Sequence, residues 1–180
     1  MRYTEKDRDI FSKRAEELAP LLLGKVLCRR LENGKEIKLK IVDVEAYASD
    51  DTANYGYGYE GNGGNKRKTK ANAPLFQQGG TCCVYAGMLL IVCGEKGKPD
   101  NILIRGCADH ENKYDGPIKV AKALGIDSGS DLKGEDLLIS ERLWIENEDI
   151  IGSICQTTRH GLGSTTRNSD KHRRYRFLTI

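Results

Sequence analysis

The feature that most constrains this chain is Asn33-Gly34, set between two segments of alternating character, Lys25–Leu31 and Lys35–Tyr47. Asn-Gly is a strong signal for a two-residue hairpin turn, because both residues tolerate the positive φ that such a turn demands. Ile37, Leu39 and Ile41 alternate with Glu36, Lys38 and Lys40, which predicts a strand with one buried face and one wet face. Such strands belong to antiparallel sheets and argue against a doubly wound parallel one.

The remaining elements follow from period and punctuation. Thr4–Leu22 reads as a helix: Thr4 caps it, Asp7 follows three residues on, and Ile10, Phe11, Ala15, Leu18 and Ala19 recur at helical spacing. Pro20 kinks or ends it, and Gly24 follows. Thr81–Cys93 and Asn101–Cys107 read as strands, Pro117–Leu124 as a short helix closed by Gly125. Asp136–Ile139, Leu143–Ile145, Ile150–Cys155 and Tyr175–Leu178 are shorter strand candidates. Asp50–Lys70, rich in Gly, Asn and Tyr, reads as a long loop, and a loop of that length is functional or disordered. The expected fold is α+β: a single domain over residues 1–180 around a curved, mainly antiparallel sheet with a few short helices.

Composition narrows the class. At 180 residues and 38% hydrophobic content the chain supports one core. Its longest apolar runs fall far short of the roughly 20 residues of a membrane helix, and its N-terminus is charged throughout. A cytoplasmic protein with no membrane partner is expected. None of the six cysteines is in C-x-x-C spacing and the three histidines form no H-x-x-x-H pair, so buried free thiols are expected, with no metal and no cofactor.

The net charge is only +3, but it is uneven. In Gln156–Arg176 six cations face Asp170 alone, and Lys66, Arg67, Lys68 and Lys70 form a second cluster. Two such clusters suggest a positive face for a polyanion. Three features then carry candidate chemistry. Glu45 ends the apolar strand Ile41–Tyr47 beside the long loop, where a carboxylate is placed to act as a general base. Tyr47, Tyr55, Tyr57, Tyr59 and Tyr85 lie near Lys and Arg, a mixture that stacks bases and holds phosphates. Arg105 follows Ile102-Leu103-Ile104, where it reaches a carboxylate, a phosphate or a carbonyl. Together they suit a pocket for an extruded nucleotide.

Leu22-Leu23-Gly24-Lys25-Val26-Leu27, Ile41-Val42-x-Val44-Glu45-Ala46-Tyr47, Asn101-Ile102-Leu103-Ile104-Arg105, Asp115-Gly116-Pro117-x-Lys119 and Ala123-Leu124-Gly125-Ile126 occur in that order. This ordered series resembles the alkyladenine (3-methyladenine, or methylpurine) DNA glycosylase family from about Phe11 to Phe177. The resemblance implies a monofunctional enzyme that flips an alkylated or deaminated purine out of double-stranded DNA and hydrolyses its N-glycosidic bond, leaving an abasic site. By the same resemblance Glu45 primes the water, Tyr47 stacks on the flipped base and Tyr85 supplies an opposing face. Arg105 and Arg159 fall where the family holds the DNA backbone or the flipped nucleotide, and the enzyme would act as a monomer.

The chain also departs from that pattern. Tyr55 stands where the family carries a histidine that touches the lesion, and Cys93 aligns with an asparagine that helps exclude guanine. The wedge tyrosine falls where this sequence is two residues short, leaving Met88 as the candidate wedge. The Thr-Pro-Arg-Asn loop reads Thr69-Lys70-Ala71-Asn72, which keeps Thr69 and exchanges an arginine for Lys70 nearby. These changes keep an alternative in view: a nucleic-acid-binding module derived from such an enzyme and devoid of catalysis. A third reading, an acyl- or formyl-group enzyme, would require a His or Cys nucleophile pair that the sequence does not present.

Overall fold

The hairpin is the centre of the molecule. The computed structural model describes residues 1–149 and 152–180. Its strands are β1 (Val26–Arg30), β2 (Glu36–Tyr47), β3 (Cys82–Tyr85), β4 (Met88–Val92), β5 (Asn101–Ala108), β6 (Lys113–Asp115), β7 (Leu143–Glu146), β8 (Ile154–Thr157) and β9 (Arg176–Thr179). The helices are α1 (Arg8–Phe11), α2 (Ala15–Leu22), α3 (Pro117–Ala123) and α4 (Asn168–Lys171). All strands join one curled sheet of order β3-β4-β5-β2-β1-β7, with β6 on β5, β9 on β2 and β8 on β9. Every pairing between these strands is antiparallel. The chain forms one α+β unit, as its hairpins and short helices predict.

Several elements differ from expectation in instructive ways. The turn between β1 and β2 holds three residues, not two: Leu31 N–H donates to Lys35 C=O and Gly34 N–H to Leu31 C=O, both at 2.9 Å. Only Gly34 takes a positive φ, 82°, while the Asn33 side chain accepts the Lys35 N–H at 3.0 Å. That is a type I turn with a glycine bulge. The single helix expected over Thr4–Leu22 is broken into a 3-10 turn, α1 and α2. Phe11 C=O accepts the N–H of Gly94 at 3.0 Å, so the helical ladder stops there. Asp100 Oδ1 then accepts the Ala15 N–H at the start of α2 (3.3 Å). Pro20 lies inside α2, which ends two residues later.

Thr81–Cys93 is a hairpin, not one strand: Tyr85 pairs with Met88, and Ala86 (φ 50°) and Gly87 (φ 73°) turn the chain. Asp136–Ile139 is a turn in which Asp136 Oδ1 accepts the Leu138 N–H at 3.0 Å, a side-chain bond that competes with strand pairing. Of the predicted strand Ile150–Cys155, Ile150 and Ile151 lie outside the described residues, and β8 takes up only Ile154 and Cys155 of it. The three-residue β6 carries too short a period to read from sequence.

Two apolar clusters sit on opposite faces of the sheet. The larger packs α2 and α3 against β2, β4 and β5 and includes Phe11, Leu18, Ile41, Val44, Ile104 and Val120. The smaller joins Tyr47, Leu75, Phe76, Cys83, Leu90, Val92 and Leu103, with Tyr55, Tyr59, Tyr85, Met88 and Leu162 against it. All six cysteines are free and five are buried. Burial pushes the Cys28 and Cys83 thiols up to about 12, which leaves them unreactive as nucleophiles. Among the described residues no helix is long and apolar enough to cross a membrane.

Candidate active site

Alternation along β2 decides what the site contains. Val44 and Ala46 enter the larger core, so Asp43, Glu45 and Tyr47 point to the other face. The pairing with β5 slips between Asp43↔Gly106 and Val44↔Ile104, leaving Arg105 as the extra residue of a bulge. A bulge re-aims its side chain, and here Arg105 faces both carboxylates: Nε lies 3.7 Å from Asp43 Oδ2 and Nη1 lies 3.6 Å from Glu45 Oε1. Asp43 has a closer partner in Arg176, whose Nη2 is 2.7 Å away.

Glu45 is fully buried. Its Oε2 accepts the Tyr47 hydroxyl at 2.8 Å and its Oε1 accepts the backbone N–H of His160 at 3.1 Å. Two donors and a nearby cation hold the carboxyl in one orientation, the requirement for a group that must orient a water or face a developing positive charge. Burial, then the neighbouring Glu45 carboxylate, pushes the Tyr47 hydroxyl far up, so it stays a donor at all working pH values. Asp43 and His160 escaped the sequence reading. Asp43 was legible, since it lies two residues before Glu45 on one strand face, whereas His160 acts only through its backbone.

Arg159 does not reach the surface, which speaks against the DNA backbone, one of the two places the resemblance gave it, and leaves the flipped nucleotide untouched by this observation. Its side chain is 0% exposed and its Nη2 lies 2.6 Å from Asp51 Oδ2, itself 0% exposed. It also donates to Ala46 C=O (3.0 Å) and Asp170 C=O (2.9 Å), and its guanidinium lies 4.7 Å from the centre of the Tyr47 ring. Arg159 therefore supports the ring on which the site is built. Cys93 is corrected: it lies in the larger core, and Val92 takes the position beside the tyrosines. A one-residue step along a strand moves a side chain to the opposite face.

Tyr55 and Tyr85 come together and stack on one another, with centroids 4.2 Å apart and planes at 30°. A ring held between two others needs about 7 Å between their planes, twice a 3.5 Å contact. No base fits between Tyr55 and Tyr85 in this conformation. Met88 lies opposite Tyr85 across the β3–β4 pair, half-buried against the same cluster. Thr69 and Lys70 are exposed, and Thr69 is spent on its own loop, bonding Asn72 Oδ1 through N–H (2.8 Å) and Oγ1 (3.1 Å).

Among the described residues, Glu45 lines neither of two concavities, one at each end of the sheet's central strand. The larger, about 470 Å³, lies at the other end of β2 between Val26, Lys38, Lys40 and His110. Its lysines are already satisfied, Lys38 by Glu146 and Lys40 by Glu148. The smaller adjoins Tyr55 and is described below.

Comparison with known proteins matches residues 9–179 to the methylpurine-DNA glycosylase family. A Clostridium perfringens (strain 13 / Type A) protein provisionally named 3-methyladenine DNA glycosylase is 32% identical, over 86% of each chain. A protein of Chlamydia felis with the same provisional name is 30% identical over 81% of each. An Encephalitozoon cuniculi protein, provisionally a DNA-3-methyladenine glycosylase, is 32% identical over 72% of this chain and 68% of its own.

Proposed function

Because the chain belongs to the methylpurine-DNA glycosylase family, we propose that it excises damaged purines from double-stranded DNA as a monofunctional, monomeric glycosylase. Alkylated and deaminated purines are its substrates. The observation that carries this reading is the buried Glu45 carboxyl, held at 2.8 Å by the Tyr47 hydroxyl and at 3.1 Å by the His160 N–H with Arg105 at 3.6 Å. The reaction breaks the bond from the sugar's anomeric carbon to the base nitrogen, whose electron pair leaves with the base. Positive charge develops on the sugar, as in glycoside hydrolysis. Glu45 stabilises that charge and accepts a proton from the water that bonds to the anomeric carbon. A cationic alkylated base departs neutral, whereas a neutral lesion must also gain a proton. Tyr47 stacks on the extruded base, and its ring rests on the Arg159 guanidinium, 4.7 Å from its centre. Tyr85 supplies the opposing face, with Tyr55 stacked on its far side.

The departures from the family pattern at Tyr55 and Cys93 favour the alternative of a DNA-binding module without catalysis. One assay separates the two. Duplexes carrying a single hypoxanthine, 1,N6-ethenoadenine or 3-methyladenine are incubated with the protein and treated with hot alkali. The glycosylase yields strand breaks, and Glu45→Gln lowers the rate by about 10²–10⁴-fold, the range for loss of a general base. No break with any lesion leaves the binding module as the answer.

A further inference from the structure

Tyr55 and Tyr59 pack against the Tyr47 cluster, but Tyr57 between them is 38% exposed. The three rings line a cleft of about 340 Å³ with Lys66, edged by Thr52 and Thr165. The loop that carries them is built rather than slack. Asn54 Nδ2 donates to the carbonyls of Tyr47 (2.9 Å), Ala48 (3.1 Å) and Pro99 (2.8 Å). A Cβ on Gly56 would stand 2.3 Å from Pro99 Cβ, so only glycine fits between Tyr55 and Tyr57. Lys66 N–H donates to Gly58 C=O (3.1 Å) and Glu60 N–H to Lys66 C=O (3.0 Å), closing the loop on itself.

Cations accompany the rings. Lys66 Nζ lies 5.7 Å from the Tyr59 centroid and the Arg167 guanidinium 5.6 Å from that of Tyr57. Among the described residues Lys66, Arg67, Lys68 and Lys70 have no carboxylate within ion-pair distance, and all four are exposed. The exposed Tyr57 ring, with the unpaired Lys66 ammonium in the same cleft and Arg167 already held by Asp170, suits a ligand with a flat π-face and adjoining negative charge. A nucleotide has both, and base–aromatic stacking does not depend on which base is present. Tyr55 belongs to the cleft and also stacks on Tyr85 of the Glu45 cluster, so the two sites share a wall.

We propose that the tyrosine cleft seats an unpaired nucleotide of the same DNA strand that delivers its neighbour to Glu45. A base inside a duplex has both faces covered, so the cleft recognises a strand already opened and biases the protein toward single-stranded or gapped DNA. The assignment rests on the glycosylase reading only for which strand is held.

The test is fluorescence anisotropy with a labelled oligothymidylate and with its duplex on oligodeoxyadenylate, in a Glu45→Gln background so that no excision intervenes. Tyr57→Ala is expected to weaken single-strand binding about 5- to 160-fold, the worth of one stacked base. Duplex binding stays unchanged, and Tyr57→Phe restores the single-strand affinity. Lys66→Gln, the second variant, lowers the slope of log affinity against log salt on the single strand by about 0.7, one phosphate contact. Equal losses on both forms of DNA, or none on the single strand, overturn the proposal. Because the readout is binding, absence of glycosylase activity in the alkali assay leaves this result standing, and the reverse holds too.

Discussion

Arg159 carries a charge that the sequence assigns to DNA and the fold assigns to the interior. Paired with Asp51 at 2.6 Å and wholly buried, it is tied to two carbonyls as well. Replacing it by methionine leaves the Asp51 carboxylate buried without its cation, a loss of about 3–5 kcal/mol. Lysine does not rescue it, because a point charge cannot satisfy three acceptors that a planar fork spans. Urea unfolding checks this. An Arg159→Met protein as stable as its parent but weak on DNA would return Arg159 to the DNA backbone. The contrast with Glu45 is physical. Glu45 was legible because it ends an apolar strand whose period reveals which face each residue takes. The partner of Arg159 lies 108 positions away, on a loop without period.

At the scale of elements, the β3–β4 hairpin shows where pattern reading stops. Thr81–Cys93 is apolar at nearly every position, so no alternation marks the reversal, and Ala86-Gly87 is a weak turn signal. Tyr85 pairing with Met88 nonetheless demands a two-residue turn with left-handed backbone, and Ala86 supplies it at φ 50°. That conformation costs a non-glycine residue roughly 1–2 kcal/mol, partly matched by the roughly 0.5–1 kcal/mol that glycine loses in flexibility. Ala86→Gly is therefore expected to stabilise the protein by about 0.5–1 kcal/mol, raising the melting temperature by about 1–4 °C. A lower melting temperature would count against the turn geometry. Helix α3, with Pro117 first and Gly125 just past its end, was legible because its punctuation is local. The break between α1 and α2 was not, because the N–H that claims Phe11 C=O belongs to Gly94.

Across the whole molecule, the basic C-terminal stretch works mainly as a clasp. Arg176 binds Asp43, Arg173 binds Asp50 and Asp170, and Arg167 binds Asp170. Asp170 also accepts the N–H and hydroxyl of Thr52 (3.1 and 2.5 Å), tying α4 to the long loop. Burial alone would raise the Asp170 carboxyl, but the Thr52 hydroxyl and amide and the Arg167 and Arg173 guanidinia outweigh it and hold it at about 2. An unfolded aspartate titrates near 3.9. The folded value is the lower one, so this stabilisation is complete above about pH 4 and is lost as pH falls through about 2. Thermal melts from pH 6 to 2 are expected to fall steeply over that window, and less steeply in Thr52→Val. An unchanged acid limb in that variant would remove Thr52 from the cause.

The neighbouring-residue pattern was sufficient for the sheet-rich class, for the strand bearing Glu45 and for the family resemblance, because alternation, turn chemistry and short motifs are written within a few residues. Which charges stay available, and whether two tyrosines leave room between them, depends on chain segments far apart in sequence that close on one another. Only folding brought Asp51, Asp50 and Asp43 to the arginines and left Lys66, Arg67, Lys68 and Lys70, among the described residues, without a carboxylate partner.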